Sequence, residues 1–413
     1  MKNPKAVCTR AILAIFAGGL FARHLRAQET PVGDSLRVAI APEQLIAVIN
    51  DLSSPTYAVR QSATEQLSLL GNSAIEELEK ALEQSKDLES KARLASVVSE
   101  IRGFRMKKAL DAFRRDIDPS NAHGLEAWPR LVQVVGDSRV AKLLMIEMYE
   151  AQPKLMRAIT GSDEVLQQAA LDAAKSIPER GRFSDSGDGW ALVLACIVAK
   201  KPINLEVQYR AIQSIREYPT NQKFTDPRWK NDIRKLVGAW IEKMPFELAR
   251  EGLVLSGNYD IPNGAALARQ VLSNQAIDPA LYYSGIRVLA RHGSIEDLAL
   301  LEPWLANDTV MVETAKRVQS PIGIPTDEDH FPPDAELQRI RVLYQDAALA
   351  AAVILSKQSL KDYFPDVEET GNSDFVLQQI GSPIDKPEQR AFAFERWKKY
   401  RESNPPGPNK KPQ

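Results

Sequence analysis

The sequence predicts an all-α chain, an α/α solenoid of paired helices, and three observations carry that expectation. Apolar residues recur at helical spacing from Leu45 almost to the C-terminus. Proline and glycine interrupt this rhythm at intervals that suit helix-turn-helix units. The apolar pattern of the first such unit also returns about 33 residues later.

The first element places Leu45, Val48, Ile49 and Leu52 at i, i+3, i+4 and i+7, one stripe of an amphipathic helix. Ser53, Ser54 and Pro55 break it, because proline has no N–H to donate and restricts the residue before it. A second helix carries Val59, Ala63, Leu67 and Leu70 on one face, with Gly71 as its C-cap. Ile75, Leu78 and Leu82 then begin another pair, completed by Leu88, Ala92, Ala95 and Val98, with Gly103 expected to close it. Leu45 and Leu78, Ile49 and Leu82, Val59 and Ala92, and Arg60 and Arg93 each lie 33 apart. Neither pair can hide its apolar face alone, so the pairs are expected to stack.

The segment Ser54 to Ala63 (SPTYAVRQSA), followed by Gln66 to Gly71 (QLSLLG), resembles the HEAT-like repeat of exported bacterial proteins of uncharacterised function. The resemblance implies an armadillo-like stack in which a Val-Arg-x-x-Ala second helix packs its small residue on the preceding helix. It further implies that Arg60 is a structural arginine tied to a neighbouring loop acid, with Asp51 the candidate. The second unit departs from the motif, since Ala92 to Ser96 (ARLAS) has alanine for valine and serine for the spaced alanine. Some HEAT-like relatives act on tetrapyrroles, but the N-terminus of this chain argues against that role.

Beyond residue 103 the pattern stays helical. Met106, Ala109, Leu110 and Phe113 form one stripe, and Leu143, Met145, Ile146 and Met148 lie in a near-continuous apolar helix. Trp190 to Ala199 (WALVLACIVA) is apolar all round, as a central helix covered on both sides would be, and is too short to cross a membrane. Residues 319–335 (QSPIGIPTDEDHFPPDA) cannot continue a helix, because they hold four prolines and four acids. The expected organisation is therefore a signal segment 1–27, a lead-in 28–42 and a HEAT-like repeat pair 43–103. A continued helical array 104–317, a loop 318–336, a C-terminal helical segment 337–403 and a tail 404–413 complete it.

The N-terminus begins with Lys2, Lys5 and Arg10, continues through apolar Ala11 to Ala22, and reaches Ala27 where signal peptidase would cut. Export to the periplasm or beyond is expected, with an uncleaved membrane anchor and a cytoplasmic chain as alternatives. Cleavage removes five cations and no acid, so the formal charge falls from -1 by five, to -6. A negative chain has no electrostatic attraction to phosphate backbones, so nucleic acid is a poor partner. Cys8 leaves with the signal and does not follow an apolar run, and Cys196 remains without a cysteine to pair with.

No chemistry-bearing constellation stands out, and no catalytic, cofactor-binding or metal-binding residue is assigned. Asp327, Glu328, Asp329 and His330 could hold a cation, but as consecutive residues they read more simply as a solvated turn capping a helix near Ala335. Asp185 to Gly189 (DSGDG) lacks the alternating ligands of a calcium loop, and Asp188 reads as an N-cap for the apolar helix. His123, His292 and His330 have no metal-ligand spacing, and Cys196 sits mid-helix as a small hydrophobe. Trp190, Trp229, Trp240, Trp304 and Trp397 read as core wedges, or as binding anchors if several lined one face. The expected role is a non-catalytic protein-binding or scaffolding protein of the envelope or secreted space, needing no cofactor. A self-associating structural component and an enzyme or accessory built from distant residues are the alternatives.

Overall fold

The computed structural model describes residues 41–70, 74–116, 118, 121–179, 186–274, 277–317, 337–367, 375–384 and 386–404. The signal segment, the loop 318–336, Asp185, Gly71 and the tail from residue 405 lie outside the described residues. The chain is mainly helical, with a small three-stranded sheet, and divides into two compact units, Met1–Lys108 and Ala109–Gln413.

In the first unit, helices α1 (Pro42–Asp51), α2 (Tyr57–Leu70), α3 (Ile75–Gln84) and the start of α4 (Leu88–Arg115) enclose one apolar core. Leu45, Leu52, Ala63, Leu67, Ile75, Leu78, Leu94, Val97, Val98 and Ile101 fill it. Each leucine withdrawn from water in this way contributes roughly 1.5–3 kcal/mol. Leu45 and Leu78, 33 apart, are both buried, and Ile49 and Leu82 pack against the same core. The second helices keep a different register. Leu88, Ala92 and Ala95 face solvent, and the buried face of α4 is Leu94, Val97, Val98 and Ile101. Ala63 and Leu67 of α2 thus correspond to Leu94 and Val98, an offset of 31. The cause is the turn: five residues, 52–56, join α1 to α2, whereas only 85–87 join α3 to α4. Gly103 does not close the second pair either. It lies inside α4, with no atom within 4 Å of the place a Cβ would take.

The second unit continues with α5 (Trp128–Val135), α6 (Arg139–Ala151), α7 (Pro153–Ala158), α8 (Asp163–Glu179), α9 (Ser186–Val198) and α10 (Leu205–Arg216). Then follow α11 (Lys230–Ile241), α12 (Ala249–Tyr259), α13 (Gly264–Leu272), α14 (Pro279–His292) and α15 (Leu298–Leu305). Helix α9 is the central one: every side chain from Trp190 to Ile197 is buried, and α6, α8, α10 and α11 pack around it. Two glycines set how closely its first turn is gripped. A Cβ on Gly187 would stand 2.1 Å from the Glu147 carbonyl oxygen of α6, and one on Gly189 would stand 3.0 Å from Ser214 and Ile215 of α10.

Strands β1 (Val310–Arg317) and β2 (Leu337–Leu343) form an antiparallel pair in segments expected to be helical. The helix expected from Ala335 is therefore a strand from Leu337, and helix α16 (Tyr344–Leu355) starts only after it. A short helix α17 (Leu377–Ile380) leads into β3 (Ser382–Pro383), which pairs with β2, and α18 (Pro387–Ser403) ends the described chain. Alternation explains β2: Ile340 and Val342 are buried while Arg339 and Arg341 turn outward to Glu313 of β1, at 3.1 and 2.8 Å. Every residue of α16 except Gln345 is buried, and the helix packs on α14 and α15. Tyr282, Trp304 and Tyr344 wedge these three helices together, with ring centroids 4.4–5.7 Å apart. Asp346 in its first turn accepts two hydrogen bonds from Arg390 of α18, at 2.8 and 3.0 Å, and one from the Leu343 amide. Burial pushes the Asp346 carboxyl up, while the guanidinium opposes that shift.

The close approach at Gly187 can be measured against the open site at Gly103. Gly187→Ala should lower stability by about 2 kcal/mol, because the backbone of α6 has to move. Gly103→Ala, on an exposed helix interior, should raise it by up to about 1 kcal/mol. Urea unfolding of both variants is the check, and equal midpoints would contradict the packing described.

Candidate functional site

The residues singled out in the sequence for chemistry are dispersed or engaged in structure. Asp327, Glu328, Asp329 and His330 lie outside the described residues. Asp188 is not an N-cap: α9 starts two residues before it, and its buried carboxylate accepts a 2.7 Å hydrogen bond from Gln152 Nε2. Cys196 is buried in α9, and burial pushes its thiol up to about 12, so it is unreactive as a nucleophile. His123 pairs with Asp116 at 2.6 Å, and the backbone carbonyls of Asp116 and Asp118 accept hydrogen bonds from the buried Lys142 ammonium at 2.8 and 3.1 Å. Trp190, Trp240, Trp304 and Trp397 are buried wedges, whereas Trp229 is partly open beneath the Lys223 ammonium at 4.1 Å. Among the described residues no group of three or more His, Cys, Asp or Glu side chains is placed to hold a metal ion. No described helix is long and apolar enough to cross a membrane.

One polar cluster escaped sequence reasoning because its members lie far apart in the chain. Ser186 Oγ donates to Glu147 Oε2 at 2.8 Å, and Lys223 Nζ donates to both Glu147 and Ser186. A serine beside a lysine is a pairing that nucleophilic enzymes use, with the amine as base. Burial does hold the Lys223 amine below the usual lysine range, but Glu147 opposes that shift and favours the ammonium. The three side chains join the start of α9 to α6 and to the turn at 220–224.

His292, on the last turn of α14, is a second buried titratable group. Its Nε2 lies 3.6 Å from Asp260 Oδ1, and Arg234 reaches the other oxygen of that carboxylate at 3.2 Å. Burial holds the imidazole below the ordinary histidine range; Asp260 opposes this, and Arg291 and Arg234 reinforce it.

The arrangement best suited to recognition lies in the first unit. Tyr57, the first residue of α2, is 63% exposed. The guanidinium carbons of Arg60 and Arg93 each stand 5.7 Å from its ring centroid. Their side chains are only 17% and 19% exposed, so two cations are held against one open aromatic ring. Glu89 Oε1 forms an ion pair with Arg60, 2.9 Å from its Nε, and accepts a hydrogen bond from Arg93 Nη2 at 3.0 Å. Arg60 Nη1 also donates to the carbonyls of Ser54 and Pro55, at 2.8 and 3.1 Å. Its acid is thus Glu89 of the next pair rather than Asp51. The 33-residue spacing of Arg60 and Arg93 is visible in the sequence, whereas their convergence on Tyr57 arises from the packing of α2 on α4. Tyrosine and arginine, fixed on rigid helices, are the residue types that dominate protein-binding hot spots.

Comparison with protein families, with curated proteins and with solved structures finds no match to this chain.

The His292 environment carries a pH signature. The imidazole's folded pKa is depressed, so the unfolded chain takes up its proton first, and stability is lost as pH falls below about 6.5. Between pH 7.5 and 5.5 the urea midpoint of the native protein should fall further than that of His292→Gln. Parallel curves for the two proteins would contradict this environment.

Proposed function

We propose that the chain is a non-catalytic protein-binding or scaffolding protein of the cell envelope or secreted space. Its helix pairs serve as HEAT-like, solenoid-type layers, and it recognises partners through surface side chains rather than through a pocket. The observation that carries this proposal is the exposed Tyr57 ring flanked by Arg60 and Arg93 on neighbouring helix pairs. Helix pairs that bury one face against each other leave a continuous outer surface, which suits extended protein partners. Supporting an exported location are Lys2, Lys5 and Arg10, the apolar run Ala11 to Ala22 and the small residue Ala27. The engagement of Asp188, Cys196 and the Ser186 cluster in structural contacts also favours binding over catalysis.

A photo-cross-linking residue placed at Tyr57 should trap one defined envelope protein in the native host. The same group at exposed Glu83, on α3, should not. Equal labelling from both positions, no labelled partner, or capture of a second copy alone would each overturn the proposal.

A further inference from the structure

The Tyr57 site has a chemical bias of its own. Three guanidinium nitrogens, Arg60 Nε with Arg93 Nε and Nη2, crowd on a single oxygen of Glu89, at 2.9, 3.2 and 3.0 Å. Asp87, in the same turn as Glu89, is occupied in capping α4, where it accepts the Ser90 amide at 2.7 Å. Arginine presents five donors in a planar fork; the Arg93 fork donates to this one half-exposed oxygen, while Arg60 Nε stands beside it without a hydrogen bond of its own. The α2 and α4 backbones fix both stems, so the cations stay side by side whether or not Glu89 remains between them. Glu89 itself sits on the first turn of α4 with its side chain 52% exposed, free to swing into water.

We propose that Glu89 is an internal stand-in for a partner's carboxylate, and that this site binds an acidic peptide segment. The incoming Asp or Glu accepts a forked pair of hydrogen bonds from Arg60 and Arg93, and its neighbouring residue packs on the open face of Tyr57. Glu89 is displaced as the segment docks, so it competes with the ligand and tunes affinity. The proposal rests on the protein-binding role described above and adds the chemistry of the partner.

The test uses fluorescently labelled hexaglutamate, with hexalysine and inorganic phosphate as comparisons, on the purified protein at low salt. Hexaglutamate should bind and hexalysine should not. Glu89→Gln should bind hexaglutamate about threefold or more tightly, and Arg93→Gln about tenfold more weakly, as expected for loss of a charge-assisted pair. Circular dichroism melts of both variants separate lost binding from lost folding. Absence of hexaglutamate binding in both the native protein and Glu89→Gln overturns the proposal, as does equal binding by a folded Arg93→Gln. Displacement by phosphate at the same concentration as by peptide also overturns it, in favour of a plain anion site. A partner trapped at position 57 together with no hexaglutamate binding would retain the protein-binding role and remove only its acidic specificity.

Discussion

The larger unit is organised by the need to cover one helix on every side. From Trp190 to Ile197 every side chain of α9 is buried, so no single neighbour can satisfy it. Four helices close around it, and the polar groups at its two ends are tied off locally. Glu147 and Lys223 hold Ser186 at the start, and the Lys243 ammonium takes the Ile197 carbonyl near the end. Gly187 and Gly189 let α6 and α10 approach closely enough to complete the cover. Helix α16 repeats the solution farther along, with Tyr282 and Trp304 pressed on its first residue and the Arg390–Asp346 pair fixing its first turn.

Much of this was legible in the sequence, because burial leaves a period. The stripe at Leu45, Val48, Ile49 and Leu52 marks α1, and the unbroken run from Trp190 marks α9 as a covered helix. The signal failed where periodicity is ambiguous. In α4 the apolar residues Leu88, Ala92, Ala95 and Val98 form one plausible stripe, and Leu94, Val97, Val98 and Ile101 form another. The second is the buried one, since a turn two residues shorter rotates α4 relative to a strict 33-residue repeat. Glycine closes many helices, yet Gly103 lies on an exposed face inside α4, where nothing packs against it. The β1–β2 pair had a readable signal in the alternation Arg339, Ile340, Arg341, Val342, masked by the helical pattern on either side.

The candidate site was legible only in part. Arg60 and Arg93 were visible as a matched pair, and the HEAT-like resemblance implied a structural role for Arg60. That role is real for Arg60, which holds the carbonyls of Ser54 and Pro55. What the linear pattern does not contain is the third partner: Tyr57 lies three residues before one arginine and thirty-six before the other, and only the packing of α2 on α4 joins them. The Ser186, Glu147 and Lys223 cluster was hidden for the same reason, its members coming from α9, α6 and a turn. Chemistry assembled from distant segments leaves no spacing to detect, whereas a buried helix face always does.

Amide hydrogen exchange on α9 tests the central claim most directly, since a helix enclosed on all sides can open only when its whole surroundings open. The amides of Leu192 to Cys196 should exchange with a free energy equal to that of global unfolding measured in denaturant. Exchange of those amides on the timescale of the exposed ends of α1 or α18 would contradict the account, because it would mean that α9 can shed its neighbours without unfolding the unit they form.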